Sequence, residues 1–232
     1  GGGLDGRVGH PLAQEARALR DRLRVRQHAL DRRQLEPASR DEVLRDGEHD
    51  LADDRHVVAV LGERVEAGVE AFNSAIELFD SYTDEGKRGI MSTLHNRGQA
   101  HTSLGTEEGL EAALADFEEA RGMIDPEENP LHYGMVEHSV GVTCSALAKV
   151  NAEGRSSFLK EAIRAFDNSL QVFTRTGFPY YYALVKHNLG LAHESLGGTA
   201  NLRRALASFE DFSEAYQASV ARPQPLFRRR PA

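Results

Sequence analysis

The chain has 232 residues, 40% of them hydrophobic, 28% charged and 7% aromatic, with no tryptophan and a net charge of −8 at neutral pH. That length accommodates one large or two small domains. Its longest apolar runs, such as residues 57–61, fall far short of the ~20 residues that a bilayer-spanning helix needs, and the opening residues carry no signal-peptide pattern. The acidic balance argues against general nucleic-acid binding. A single cysteine, Cys144, supports neither an internal disulfide nor a cysteine-based zinc site, which fits a reducing cytoplasm.

Residues 1–65 hold 12 of the 24 arginines but no lysine, phenylalanine or tyrosine. Within them, residues 7–33 set eight arginines against three acids, and residues 34–65 set four against nine, so opposite charge blocks lie end to end. Leu12, Ala16, Leu19, Leu23 and Leu30 recur at helical spacing, which predicts an amphipathic helix or an exposed basic arm. Without aromatics, and with acids following, DNA contact is not expected. The first methionine is Met91, as in a fragment, a non-ATG start or an upstream extension. Residues 1–55 are therefore set apart as a charged segment, either disordered or a helix docked on the first repeat.

Beyond residue 60 the chain repeats itself. Residues 129–141 align without a gap on residues 178–190, with Pro130 and Pro179 in register. His95 and Gly98 match His138 and Gly141, and again His187 and Gly190. A second landmark follows each copy, an alanine and a phenylalanine four apart: Ala113 and Phe117, Ala162 and Phe166, Ala205 and Phe209. Gly68 and Phe72 look like the second half of an earlier, partial copy. Successive landmarks lie 43 to 49 residues apart, so each unit has two parts.

Each part reads as a helix. Leu184, Val185, Leu189 and Leu191 recur at helical spacing, Gly197 and Gly198 supply a left-handed stop, and Leu104 with Gly105 ends the matching helix of the first copy. The second helices are expected to begin near Thr106, Ser156 and Thr199. Pro130 and Pro179 mark the first turn of the next unit, because proline is tolerated there but not in a helix interior. Small residues predict close helix approach, with phenylalanine filling the space between. No strand pattern competes. The expected fold is all-α, built of antiparallel helix pairs over residues 56–217 and followed by a flexible basic tail, 218–232.

These landmarks resemble the tetratricopeptide repeat over roughly residues 60–217. The nearest variety is the lengthened repeat found beside bacterial caspase-like peptidase (CHAT) domains, which reads approximately Phe-Pro, Trp-Ala, then Asn-Leu-Gly. Here those positions are Phe178 and Pro179, Tyr182 and Ala183, then Asn188, Leu189 and Gly190. Residues 159–166 and 170–175 are also similar to that family's second helix. Arg97 departs from the pattern at an apolar position, and His101, Cys144 and His193 stand for a usual tyrosine. The resemblance implies a right-handed solenoid whose first helices line a concave groove. Positions three before, one after and four after the small glycine then face the groove. They are His95, Gln99 and Thr102; His138, Val142 and Ser145; and His187, Leu191 and Glu194. Asn96 and Asn188 resemble one element of the groove that clamps a terminal carboxylate in some members, but the clamp's lysines and arginine are absent. No peptidase domain is contained here, so its chemistry does not carry over.

The residues offer no competing chemistry. There is no Gly-rich phosphate loop, Gly-x-Ser-x-Gly elbow or His-Glu-x-x-His helix. His95 and His101, like His187 and His193, are six residues apart, about 240° around a helix, so neither pair shares a face for a metal. Cys144 is expected to be a packed, inert thiol, and the paired acids Glu118 and Glu119, or Glu127 and Glu128, solvated charge. No catalytic, cofactor-binding or metal residue is assigned, and no cofactor is expected. The recurrent histidines either bond to a neighbouring helix or line a mildly polar groove. In the second case they gain charge as pH falls through about 6.5 and favour an acidic peptide.

The function expected is therefore that of a cytoplasmic protein–protein interaction scaffold, not an enzyme, binding a protein or peptide rather than nucleic acid or membrane. The alternative is a regulatory or sensor segment of a larger effector, associated with a peptidase or a transcription factor. An autonomous hydrolase or metal enzyme has least support.

Overall fold

The structure is a computed structural model that describes residues 11–34 and 51–221, with side chains described over 14–25 and 62–218. Among the described residues the chain is all-α, with eight helices and no strand: α1 (Pro11–Gln34), α2 (Leu51–Leu78), α3 (Asp84–Leu104), α4 (Glu107–Gly122), α5 (Pro130–Val150), α6 (Arg155–Val172), α7 (Pro179–Leu196) and α8 (Thr199–Ala221).

Local chemistry explains most helix ends. Pro130 and Pro179 open α5 and α7, where the missing N–H is not needed. The hydroxyls of Thr83 and Thr106 cap α3 and α4, accepting from the N–H of Gly86 (3.0 Å) and Gly109 (3.1 Å). Gly105 and Gly197 follow α3 and α7 at φ of 68° and 73°, a backbone region that a Cβ disfavours. Three boundaries differ from expectation. Gly154, without a side chain to cap, precedes α6, and its own N–H donates to the Asn151 side-chain oxygen (2.6 Å). α8 runs on to Ala221, taking four residues assigned to the tail, while α2 begins at Leu51, before the expected domain start. The rest of the expected tail, 222–232, lies outside the described residues, as do 1–10 and 35–50 of the N-terminal segment.

Helices α3 and α4, α5 and α6, and α7 and α8 pack as pairs, and α2, α4 and α6 each pack on the helix that follows. The first helices α3, α5 and α7 adjoin along one face. Within each pair the closest approach is a glycine against a phenylalanine ring. A Cβ built at Gly98 would lie 2.6 Å from the Phe117 ring, one at Gly141 2.5 Å from Phe166, and one at Gly190 2.7 Å from Phe209. All three rings are at most 1% exposed, and Ala113, Ala162 and Ala205 are fully buried beside them. The expected roles of small residue and phenylalanine are thus borne out. One continuous apolar cluster then runs from Ile90 in α3 to Ala192 in α7.

The N-terminal segment is a docked helix over 11–34, but on the last helix rather than on the first repeat. Ala16, Leu19 and Leu23 of α1 pack with Leu202, Ala205 and Phe209 of α8, and Glu15 pairs with Arg203. α1 touches no other described helix. The reason lies in its pattern. No further helix follows α8 among the described residues, so the apolar face it would turn to a next unit needs a cover, and α1 has a single apolar stripe to offer. Arg17, Arg20, Arg22 and Arg24 stay exposed.

Three substitutions test this packing by urea denaturation. Phe166→Ala should lower stability by about 3–5 kcal/mol. Gly141→Ala should lower it by about 1–3 kcal/mol, because the added methyl meets an enclosed ring. Gly68→Ala should raise it by roughly 0.5–1 kcal/mol, since a Cβ there meets nothing within 4 Å and only helix propensity changes. Equal losses for Gly141→Ala and Gly68→Ala would mean that α2 is enclosed like α5. Separately, Leu23→Asp should release α1, and amide exchange should quicken in α1 and α8 but not in α5.

Candidate functional site

The recurrent histidines mark where successive first helices meet. Each lies one helical turn before its glycine, so it covers the same phenylalanine ring from the neighbouring position. His95 meets Phe117 edge-on (centroids 5.6 Å, 85°), His138 meets Phe166 at 5.9 Å, and His187 meets Phe209 at 5.8 Å and Phe212 at 5.0 Å. The residue two before the glycine in the next unit then reaches back. Ser139 on α5 donates to Nε2 of His95 on α3 (3.3 Å), and the Asn188 amide on α7 donates to Nε2 of His138 on α5 (3.0 Å). Gln99 donates to His95 Nε2 as well (2.8 Å).

Donation to Nε2 requires the neutral ring, and burial acts the same way. Burial, with the nearby His132, holds the His95 imidazole below its ordinary pKa. Burial, with His95 itself, pushes His138 down to about 4. Both rings pack on a phenylalanine and bond to the adjoining helix. The expected gain of positive charge near pH 6, and with it the preference for an acidic peptide, is therefore corrected for His138, which stays neutral at that pH, and burial shifts His95 in the same direction.

Four of the nine expected groove residues converge. Gln99, Thr102, His138 and Val142 line a cleft of about 180 Å³ between α3 and α5, together with Phe117, Ser139 and Thr143. Thr102 donates to the Gly98 carbonyl (2.8 Å), which leaves its oxygen to accept from the Thr143 hydroxyl (3.0 Å). Gln99 is exposed at this site, while Thr102, His138 and Val142 are half-buried. The cleft has no charged side chain in its lining. The other five residues lie apart from it. His95 is buried behind Gln99, and Ser145 turns its hydroxyl to the Gly141 carbonyl (2.8 Å). Leu191 packs against the apolar cluster that includes α1. Glu194 is half-buried, which raises its carboxyl pKa. His187 stands on the Phe209 and Phe212 rings. Ser139 and Thr143 were missed because only three positions per unit were carried over. The repeated small polar residue two before the glycine, Asn96, Ser139 and Asn188, was the signal available.

The remaining polar clusters join helices. Arg97, where an apolar residue was expected, donates to both oxygens of Asp116 on α4 (3.1 Å each) and to Asn73 on α2 (2.6 Å). Its hydrogen bond to Asp116 holds the guanidinium protonated. Glu137, 1% exposed, lies 3.5 Å from Arg121 and accepts from Asn168 (3.2 Å). Cys144 is buried in the core, and burial pushes its thiol up to about 12. Among the described residues no three His, Cys, Asp or Glu side chains are grouped to hold a metal, and no helix is long and apolar enough to cross a membrane. No family model, curated protein or solved structure matches the chain.

His138 provides a pH test with a definite sign. Its folded pKa is depressed from the usual 6.5 to about 4, so as pH falls the unfolded chain takes up the proton first. Stability should therefore decline between about pH 6.5 and pH 4, with His138 contributing on the order of 3 kcal/mol. His138→Gln should remove most of that contribution, measured as the shift in urea midpoint between about pH 7 and pH 5. An unaltered shift in the variant would mean that His138 ionises normally in the folded protein.

Proposed function

We propose that this chain is a cytoplasmic protein–protein interaction scaffold. In this reading its helix pairs form a right-handed solenoid of the tetratricopeptide kind, and the adjoining faces of α3, α5 and α7 are the concave groove that receives a partner. The observation that carries the reading is the α3–α5 cleft, about 180 Å³, whose lining side chains are uncharged and whose polar groups bond to one another or to His95 and Asn188 beside it. Such a surface offers the half-buried Thr102 and Val142 side chains to a partner, with the exposed Gln99 at the site. An extended or helical peptide with an uncharged side chain suits it better than an acidic one. A neutral, packed Cys144 fits a reducing compartment.

Affinity capture from the native cell, followed by the same capture with a groove variant, tests the reading. Gln99→Glu puts a charge at an exposed site, at the cost of the one hydrogen bond from Gln99 to His95, and should reduce capture of the principal partner by about tenfold. Unchanged capture by Gln99→Glu and by Val142→Glu, with both variants folded by circular dichroism, would remove the α3–α5 face from the interaction.

A further inference from the structure

We propose that the C-terminal residues 222–232 dock in cis on an apolar patch at the start of α5 and α7, covering one end of the face where α3, α5 and α7 adjoin. On α5, Leu131 and Met135 continue the helical face that His138 and Val142 bring to the cleft. Leu131 is 45% exposed and Met135 38%, and at the register position of Leu131 the next unit exposes Tyr180 (57%). Phe173 joins the two helix starts. Its ring lies against Gly134 of α5, where an added Cβ would come within 3.2 Å, and it stacks on Tyr181 of α7, which is edge-on to Tyr180. These exposed side chains therefore gather around one buried ring instead of being scattered singly.

Position, length and charge argue for this occupant. α8 turns back along α7, and Ala215 late in α8 packs with Ala183 near the start of α7, so the chain leaves α8 beside the patch. Eleven extended residues reach about 35–40 Å, against roughly 20 Å for two interhelical steps from α8 through α7 to α5. In residues 222–232 the apolar pair Leu226 and Phe227 stands between two prolines, which favour an extended backbone, and three successive arginines, with no acid. The rim of the patch has the opposite charge. Asp125 accepts from the backbone N–H of Glu127 (2.8 Å) and Glu128 (3.4 Å), and both glutamates are exposed with no ion pair among the described residues. The nearby cations are already engaged, Arg175 by Glu214 and Lys186 by Asp211. Leu226 and Phe227 then meet Leu131, Met135 and Tyr180, while the arginines meet Glu127 and Glu128. The docking needs no partner; that it hinders one rests on the function proposed above.

A photo-crosslinker in place of Tyr180 in the full chain, irradiated at low micromolar concentration, tests the docking. It should capture residues 222–232 of its own chain in a product of monomer mass. Glu127→Lys with Glu128→Lys, salt of about 0.5 M, or Phe227→Ser should each lower that yield by about fivefold. Both glutamates lie between helices, so their replacement should leave the circular dichroism unchanged. Capture of another part of the chain, of a second copy or of nothing overturns the proposal, as does capture of a different protein in the native cell, or a yield that none of these changes lowers. Phe227→Ser should also raise capture of the groove's partner by about threefold or more. If that capture falls with Gln99→Glu yet does not rise with Phe227→Ser, the cover is overturned and the groove stands.

Discussion

The contact on which the rest depends is the phenylalanine ring laid against a glycine backbone, made three times, at Gly98 and Phe117, Gly141 and Phe166, and Gly190 and Phe209. Because the ring occupies the volume that a side chain would need, the two helices approach more closely than any other residue would allow. That closeness dictates what lies one turn away. The histidine three residues before each glycine falls on the same helix face and has no course but to cover the ring. A residue type that would titrate near neutrality on a surface is thereby drawn out of water. Its lowered pKa at His95 and His138 is a consequence of packing rather than a device for sensing pH.

Contacts between units are less uniform than those within them, and this fixes which unit follows which. α4 meets α5 through Arg121 and the buried Glu137, and Asn151 at the end of α5 donates to Glu107 at the start of α4 (2.6 Å). α6 meets α7 through aromatic rings instead, with Phe173 stacked on Tyr181 (4.8 Å, 19°) and edge-on to Phe178 (5.7 Å). At the repeat position of Glu137, α7 carries Lys186, which pairs with Asp211 on α8 (2.9 Å) while Tyr182 donates to the same carboxylate (3.3 Å). A buried carboxylate gains little net stability from its partner, but leaving it unpaired is costly. Mismatched pairing of units would strand Glu137 without the opposite charge, so this tie acts on order and register more than on total stability.

The two ends of the helix array are treated differently. At the α8 end the apolar face is covered by α1, a helix with one apolar stripe and exposed arginines beside it, suited to closing an array but not to extending it. At the α2 end, among the described residues, α2 packs on α3 alone, and its Phe72 is half-buried where its counterparts are fully buried. Between the ends, the adjoining first helices offer a cleft whose polar groups bond to one another or to His95 and Asn188 beside it. Specificity on such a surface comes from shape and from the few groups left at its edge, Gln99 above all, rather than from fixed charge.

What the sequence by itself determined was local or periodic. The prolines that open α5 and α7, the threonine that caps α4, the glycines that stop α3 and α7, and the pairing of small residue with phenylalanine all act within a turn or between adjacent helices. Their effects are readable wherever the residues recur. The tertiary structure alone decided matters that depend on helices distant along the chain. It placed α1 on α8, more than 160 residues away, because an uncovered apolar face leaves no mark in the sequence of the helix that will cover it. It turned the apolar position held by Arg97 into a junction, since Asp116 and Asn73 are brought to it only by packing. It also took His95 from a groove to a hydrogen-bonded interior and tied His138 to the adjoining helix. Helical spacing fixes which residues share a face but not how deep that face is buried, and for an imidazole it is depth that decides charge.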